Sequence, residues 1–134
     1  MPPEAHIAYL SAHFSAGRYG LLTTVYTFPL PVYLDGMPSV LKTPRDLSAF
    51  FRSLHSRLTS AGLPRLDGRL TSVELPKSDR FRIWADWTGV GEEGCQPVMK
   101  TICYNRGRHA SHLTEMLQIS LEAEMPLAAL LRAA

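Results

Sequence analysis

The feature that most constrains this chain is a change of period at Gly62. Before it, apolar residues recur at helical spacing; after it, they alternate. The sharpest helix runs from Thr43 to Ala61. Thr43 is a natural N-cap, Pro44 suits the first helical position, and Asp46 stands three residues after the cap. Leu47, Phe50, Phe51, Leu54, Leu58 and Ala61 form one apolar stripe. Gly62 provides a left-handed stop, with Pro64 close behind. From Arg65 to Glu122 the pattern is strand, with segments Arg65–Leu75, Arg80–Thr88, Pro97–Arg106 and Ser111–Glu122. Turns fall at 76–79 and 106–108, and Gly89–Gly94 reads as a loop. Four sequential strands joined by short connections predict an antiparallel meander.

The N-terminal part adds two helical stretches and a hairpin. Glu4–Gly17 places Ile7, Leu10 and Phe14 on one stripe. Arg18–Tyr26 does the same with Tyr19, Leu22, Val25 and Tyr26. Phe28-Pro29-Leu30-Pro31 then imposes an extended exit. Val32–Leu34 and Ser39–Lys42 flank Asp35-Gly36, a strong hairpin signal. At the other end, Pro126 opens a short helix at about 126–133 carrying Leu127, Leu130 and Leu131, whose burial requires a surface to dock on. Helices grouped before strands mean an α+β domain, with helices on one face of an antiparallel sheet. Strands this long twist, so the sheet is expected to curve and the helices to close over a pocket.

Composition narrows the function classes. At 134 residues the chain reads as a single domain, 1–134, large enough to bury its own core without disulfides or metal. Charged residues are 19% and the net charge is +2, too small a balance to indicate nucleic acid as a partner. No apolar run reaches the length of a membrane span, and no secretory signal is visible, so no membrane partner is expected and Cys95 and Cys103 read as reduced cytoplasmic thiols. The strand bearing Trp84 and Trp87 is apolar on both faces. One layer of helices covers only one of them, which predicts a homodimer through the outer face of the sheet.

In order and length of elements the chain resembles the nuclear transport factor 2-like (NTF2-like, SnoaL-like) superfamily. The residues that carry the resemblance are the helix ending at Phe28-Pro29, the Val32-Tyr33-Leu34-Asp35-Gly36 strand and turn, and the helix opened by Thr43-Pro44-Arg45-Asp46-Leu47 and closed by Ala61-Gly62. Trp87, Gly94 and Tyr104-Asn105-Arg106 fall where such chains carry a strand-end aromatic, a loop glycine and a Tyr-x-Arg strand. The resemblance implies a cone-shaped, cystatin-like α+β roll. It departs at Ser111-His112, where many members have tryptophan, and at Arg18, where many are acidic. The superfamily holds isomerases, cyclases, dehydratases, epoxide hydrolases and non-catalytic dimerising modules, so each chemistry needs its own residues.

No complete catalytic set is present. An isomerase base is expected near Tyr33 or Leu34, which cannot serve, and Asp35 is explained by its turn. An epoxide-hydrolase Asp–Arg–Asp relay would match only Asp86, since Trp84 and Thr114 occupy the other two places. A dehydratase-like acid–base pair would draw on His13, Tyr26 and His55. His55, at the edge of the helical stripe, equally suits a half-buried surface histidine. Asp86 equally suits a surface ion pair with Lys100. It is still the leading single candidate, with Tyr26 or His55 as partner, because a carboxylate beside Trp84 could be desolvated. Cys95, Cys103, His109 and His112 lack zinc spacing, and no phosphate loop is present, so neither metal nor cofactor is expected. The arginines at 65, 69, 80, 82, 106 and 108 are interspersed with Asp67, Glu74, Asp79 and Asp86, as on a mixed solvated face.

The reading is therefore a pocket for a small apolar ligand, bordered by Tyr26, Phe28, His55, Trp84 or Trp87, and Tyr104. Lyase, isomerase or hydrolase activity is one possibility. The alternative is a non-catalytic ligand-binding or dimerisation module. Strand register decides between them. In one register Trp84 and Asp86 face the pocket; in the other Phe81, Ile83, Ala85 and Trp87 do.

Overall fold

A computed structural model describes residues 1–75, 77–108 and 111–122. The predicted terminal helix at 126–133 lies outside the described residues. Helix α1 (Pro3–Ser15) starts on proline and is followed by Gly17 at φ +75°, the left-handed conformation that ends a helix cheaply only for glycine. Its Ile7, Leu10 and Phe14 are buried.

The second helical stretch is shorter than its periodicity predicts. Helix α2 covers only Tyr19–Leu22, a 3₁₀ turn follows at Thr23–Val25, and Tyr26 is already extended. The β-branched run Thr23-Thr24-Val25 is the cause. The Thr23 hydroxyl donates to the Gly20 carbonyl at 2.8 Å and the Thr24 hydroxyl to the Leu21 carbonyl at 2.6 Å, competing with further helix.

Strands β1 (Leu30–Leu34) and β2 (Met37–Leu41) form the predicted hairpin, with Asp35 and Gly36 at φ +50° and +82° in its two-residue turn. Helix α3 (Pro44–Ser60) begins in a full capping box. The Asp46 N–H donates to the Thr43 hydroxyl and the Thr43 N–H to the Asp46 carboxylate, both at 3.2 Å. Leu47, Phe51, Leu54 and Leu58 are buried, while Phe50 is only half-buried at the edge of the stripe.

Strands β3 (Arg65–Val73), β4 (Arg80–Gly91), β5 (Gly94–Arg108) and β6 (Ser111–Leu121) make the antiparallel meander. Two details differ from expectation. Gly89–Gly94 is not a loop, because β4 and β5 continue until Gly91 stands opposite Gly94. A Cβ on Gly91 would lie 1.8 Å from the Gly62 carbonyl oxygen, so this glycine serves a close approach to the end of α3. The N-terminal hairpin also joins the meander. β1 pairs in parallel with β6, and the sheet order becomes β2-β1-β6-β5-β4-β3. That pairing covers the edge β6 would otherwise leave open. Register shifts at Leu70/Ser72, Trp87/Thr88 and Tyr104/Asn105 bend the strands into a curved sheet, with the helices on its concave side.

Candidate functional site

The register of β4 determines what the concave face offers. Phe81, Ile83, Ala85 and Trp87 are all buried, whereas Arg82, Trp84 and Asp86 are half-exposed on the opposite face. Pairing carries the same division across the sheet. Trp87 stands opposite Met99, Ala85 opposite Thr101 and Ile83 opposite Cys103. The latter residues in turn oppose Leu121, Ile119 and Leu117.

Between this face and the helices lies a cavity of about 40 Å³. Its walls include Phe14, Phe51, Leu54, Trp87, Met99 and Leu117. The aromatic rings meet at open angles, with Phe14 and Phe51 6.2 Å apart and Tyr26 and Phe51 6.0 Å apart. The space exceeds that of a single water, for which ~10–15 Å³ suffices, and falls well below the ~300 Å³ at which drug-sized ligands begin. The indole N–H of Trp87 is satisfied inside the wall, donating to the Thr101 hydroxyl at 2.8 Å.

Two titratable groups border the cavity, and both are held neutral. Burial, with Cys103 nearby, raises Tyr26 well above the usual phenol value. Burial likewise pushes Cys103 up to about 12, against a smaller opposing effect of a hydrogen bond with Thr114. Neither is poised to exchange a proton near neutrality.

Of the residues expected from the sequence, Tyr26 and Trp87 line the cavity. Phe28 is partly buried against the core without lining it. His55 sits at the junction of α2 and α3. Its Nε2–H donates to the Pro64 carbonyl at 2.7 Å, which leaves Nδ1 to accept the Tyr19 hydroxyl at 2.6 Å. Its partner is thus Tyr19, not Tyr26 or Asp86. Trp84, Asp86 and Tyr104 lie on the outer face. Asp86 is 3.8 Å from Arg69, and the Tyr104 hydroxyl donates to Gln118 at 3.2 Å. The Arg82 guanidinium stacks over the Trp84 ring at 4.9 Å. The acid–base pairing of Asp86 with Tyr26 or His55 is not assembled, because an alternating strand sends Asp86 and its neighbour Trp87 to opposite faces.

Cys95 and Cys103 lie eight residues apart along β5, about 26 Å at strand rise, and therefore cannot share an ion. Among the described residues no group of three or more His, Cys, Asp or Glu side chains is placed to hold a metal, and no helix is long and apolar enough to cross a membrane.

A second interior feature escaped the sequence reading. The Thr114 hydroxyl donates to Asn105 Oδ1 at 2.8 Å, which turns Asn105 Nδ2 toward His112 Nδ1, also at 2.8 Å. The His112 ring packs 4.5 Å from that of His6 and 5.2 Å from that of Phe81. His6 is fully buried, and neither ring nitrogen has a hydrogen-bond partner among the described residues. Burial first, then His112 and the N-terminal amine, lowers it to about 4. The signal was present in part: His6 stands four residues before Leu10, at the edge of the α1 stripe.

No protein-family model matches the chain, and no curated protein matches it. Its likeness is to solved structures. A domain of unknown function with a cystatin-like fold from Nostoc punctiforme superposes with a TM-score of 0.69 at 11% identity, over 97% of this chain and 81% of that one. An NTF2-like protein with a cystatin-like fold from Novosphingobium aromaticivorans gives 0.63 at 15%, over 96% and 84%. Aln2 from a Streptomyces species gives 0.65 at 14%, over 95% and 89%. The chain therefore has the NTF2-like, cystatin-like fold that its element order suggested, and identities this low carry the fold alone.

Proposed function

We propose that this chain is a binding module whose interior cavity takes a small apolar molecule and performs no acid–base chemistry there. One observation carries the reading: apart from Thr101, whose hydroxyl is taken up by Trp87, the cavity wall is apolar or aromatic, and its two titratable groups are held neutral. A catalytic reading needs at least two convergent groups able to change protonation near neutrality. Two reduced cysteines are in keeping with a cytoplasmic location.

Trp87 reports on the cavity directly. In a Trp84→Phe background it is the only remaining tryptophan, because the chain has two. Benzene is expected to change its fluorescence saturably, while benzoate, of similar size but charged, leaves it unchanged. Equal responses to the two, or a response to benzoate alone, would refute the reading.

The outer face favours a second property, pairing with another copy of the chain. Trp84, Ile102, Tyr104, Met116 and Gln118 are half-buried at its centre. Around them run the ion pairs Arg82–Glu74 at 2.6 Å, Arg69–Asp86 at 3.8 Å, and Glu115 with Arg80 at 3.4 Å and Arg106 at 3.3 Å. An apolar centre inside a charged rim is the ordinary anatomy of a protein–protein contact.

A further inference from the structure

We infer a second binding site, independent of the interior cavity, on the solvent face of α3, with the chemistry to hold a small multiply charged oxyanion such as pyrophosphate. Ala49, Arg52, Ser53, Ser56, Arg57 and Ser60 recur at helical spacing and line one groove of about 490 Å³. Two guanidiniums and three hydroxyls supply donors, and no carboxylate lines the groove.

The pairing pattern sets these arginines apart from four of the sheet. Arg69, Arg80, Arg82 and Arg106 each have a carboxylate within 4 Å. Among the described residues Arg52 and Arg57 have none, and the one acidic residue of the helix, Asp46, is engaged in the N-cap. Arg57 Nε is out of solvent with no acceptor among the described residues, a state that costs free energy until an acceptor arrives. Arg52 lies against the Tyr19 ring at 5.8 Å, which restricts its rotamers and leaves less entropy to lose on binding. The hydroxyls of Ser53, Ser56 and Ser60 have no partner among the described residues, so they too can donate to the oxyanion.

Guanidiniums match phosphoryl oxygens in pairs, and neighbouring hydroxyls complete such a cradle. The negative end of the helix dipole lies beyond Ser60, so the anion is centred toward Arg52, Ser53 and Ser56. The neutral interior cavity offers this ligand nothing, so the two sites are tested separately.

Titration of ¹⁵N-labelled protein with inorganic pyrophosphate at low salt tests the site. Saturable amide shifts confined to residues 49–60 are expected, with a dissociation constant of about 0.1–1 mM. Arg52→Ala with Arg57→Ala is expected to weaken binding about tenfold or more without moving amide shifts elsewhere in the fold. Arg52→Lys with Arg57→Lys keeps the charge but loses the paired donors, and is expected to fall between the two. Should the alanine pair not fold, the lysine pair decides: wild-type affinity in it overturns the site. Non-saturable shifts, equal shifts around Arg18, Arg45 and Arg65, or undiminished binding by the alanine pair would overturn it as an adventitious ion only. Binding to vesicles of anionic lipid with no response to pyrophosphate would overturn it as well.

Discussion

His6 is the residue whose burial has the clearest consequence. An unfolded histidine protonates near 6.5, whereas in the fold desolvation and the neighbouring His112 hold His6 near 4. Its contribution to stability is therefore complete above about pH 6.5 and is lost as the pH falls toward 4, because the unfolded chain binds the proton first. The loss amounts to about 3 kcal/mol at most. Urea unfolding of wild type and His6→Leu at several pH values between 4 and 7 measures it. The wild type is expected to lose more stability than the variant over that interval, and parallel curves would show that His6 is not buried as described. The same residue shows the limit of reading side chains from a pattern. An apolar stripe reveals Ile7, Leu10 and Phe14, but a polar residue beside it reads as solvent-facing. The joint burial of His6, Asn105, His112 and Thr114 was not legible, because it depends on strand register across β5 and β6 and on a contact between His6 and His112 that are distant in sequence.

At the scale of elements, α3 and the meander were legible because their signals are local: a capping box, a stripe, a glycine stop and alternating strands. Two features were not. The shortening of α2 follows from hydroxyls that bond back to its own carbonyls, a competition that period alone does not weigh. The continuation of β4 and β5 through Gly89–Gly94 was masked by glycines that usually mark loops. Here Gly91 is required because the hairpin passes against the end of α3. Gly91→Ala is accordingly expected to destabilise the fold by about 3 kcal/mol, since the Gly62 carbonyl is backbone and cannot rotate away. Gly36→Ala makes a useful contrast. A Cβ there meets nothing within 4 Å, so its cost is confined to the positive φ, about 1 kcal/mol. Thermal unfolding that ranks the two the other way would mean that the hairpin does not approach α3.

For the whole molecule, the curved sheet separates two surfaces with different proposed roles. The concave side holds the cavity, and the convex side carries the apolar centre proposed for self-association. That association is expected to give a particle of twice the 14.9 kDa chain mass in sedimentation. Ile102→Glu, at the centre of the outer face, is expected to return it to a monomer without unfolding it. A wild-type monomer at high concentration would remove this role. The candidate site was legible only in part, and the reason is strand register. Tyr26 and Trp87 were identified as cavity residues, but Trp84, Asp86 and Tyr104 stand on the other face, and one residue of slip separates the two arrangements. The proposed binding role requires an interior that is apolar and open to a small apolar guest. A crystal structure determined under xenon pressure tests it most directly. One xenon atom is expected among Phe51, Leu54, Trp87 and Leu117. An interior that takes up no xenon, or ordered water hydrogen-bonded to Tyr26 in its place, would contradict it.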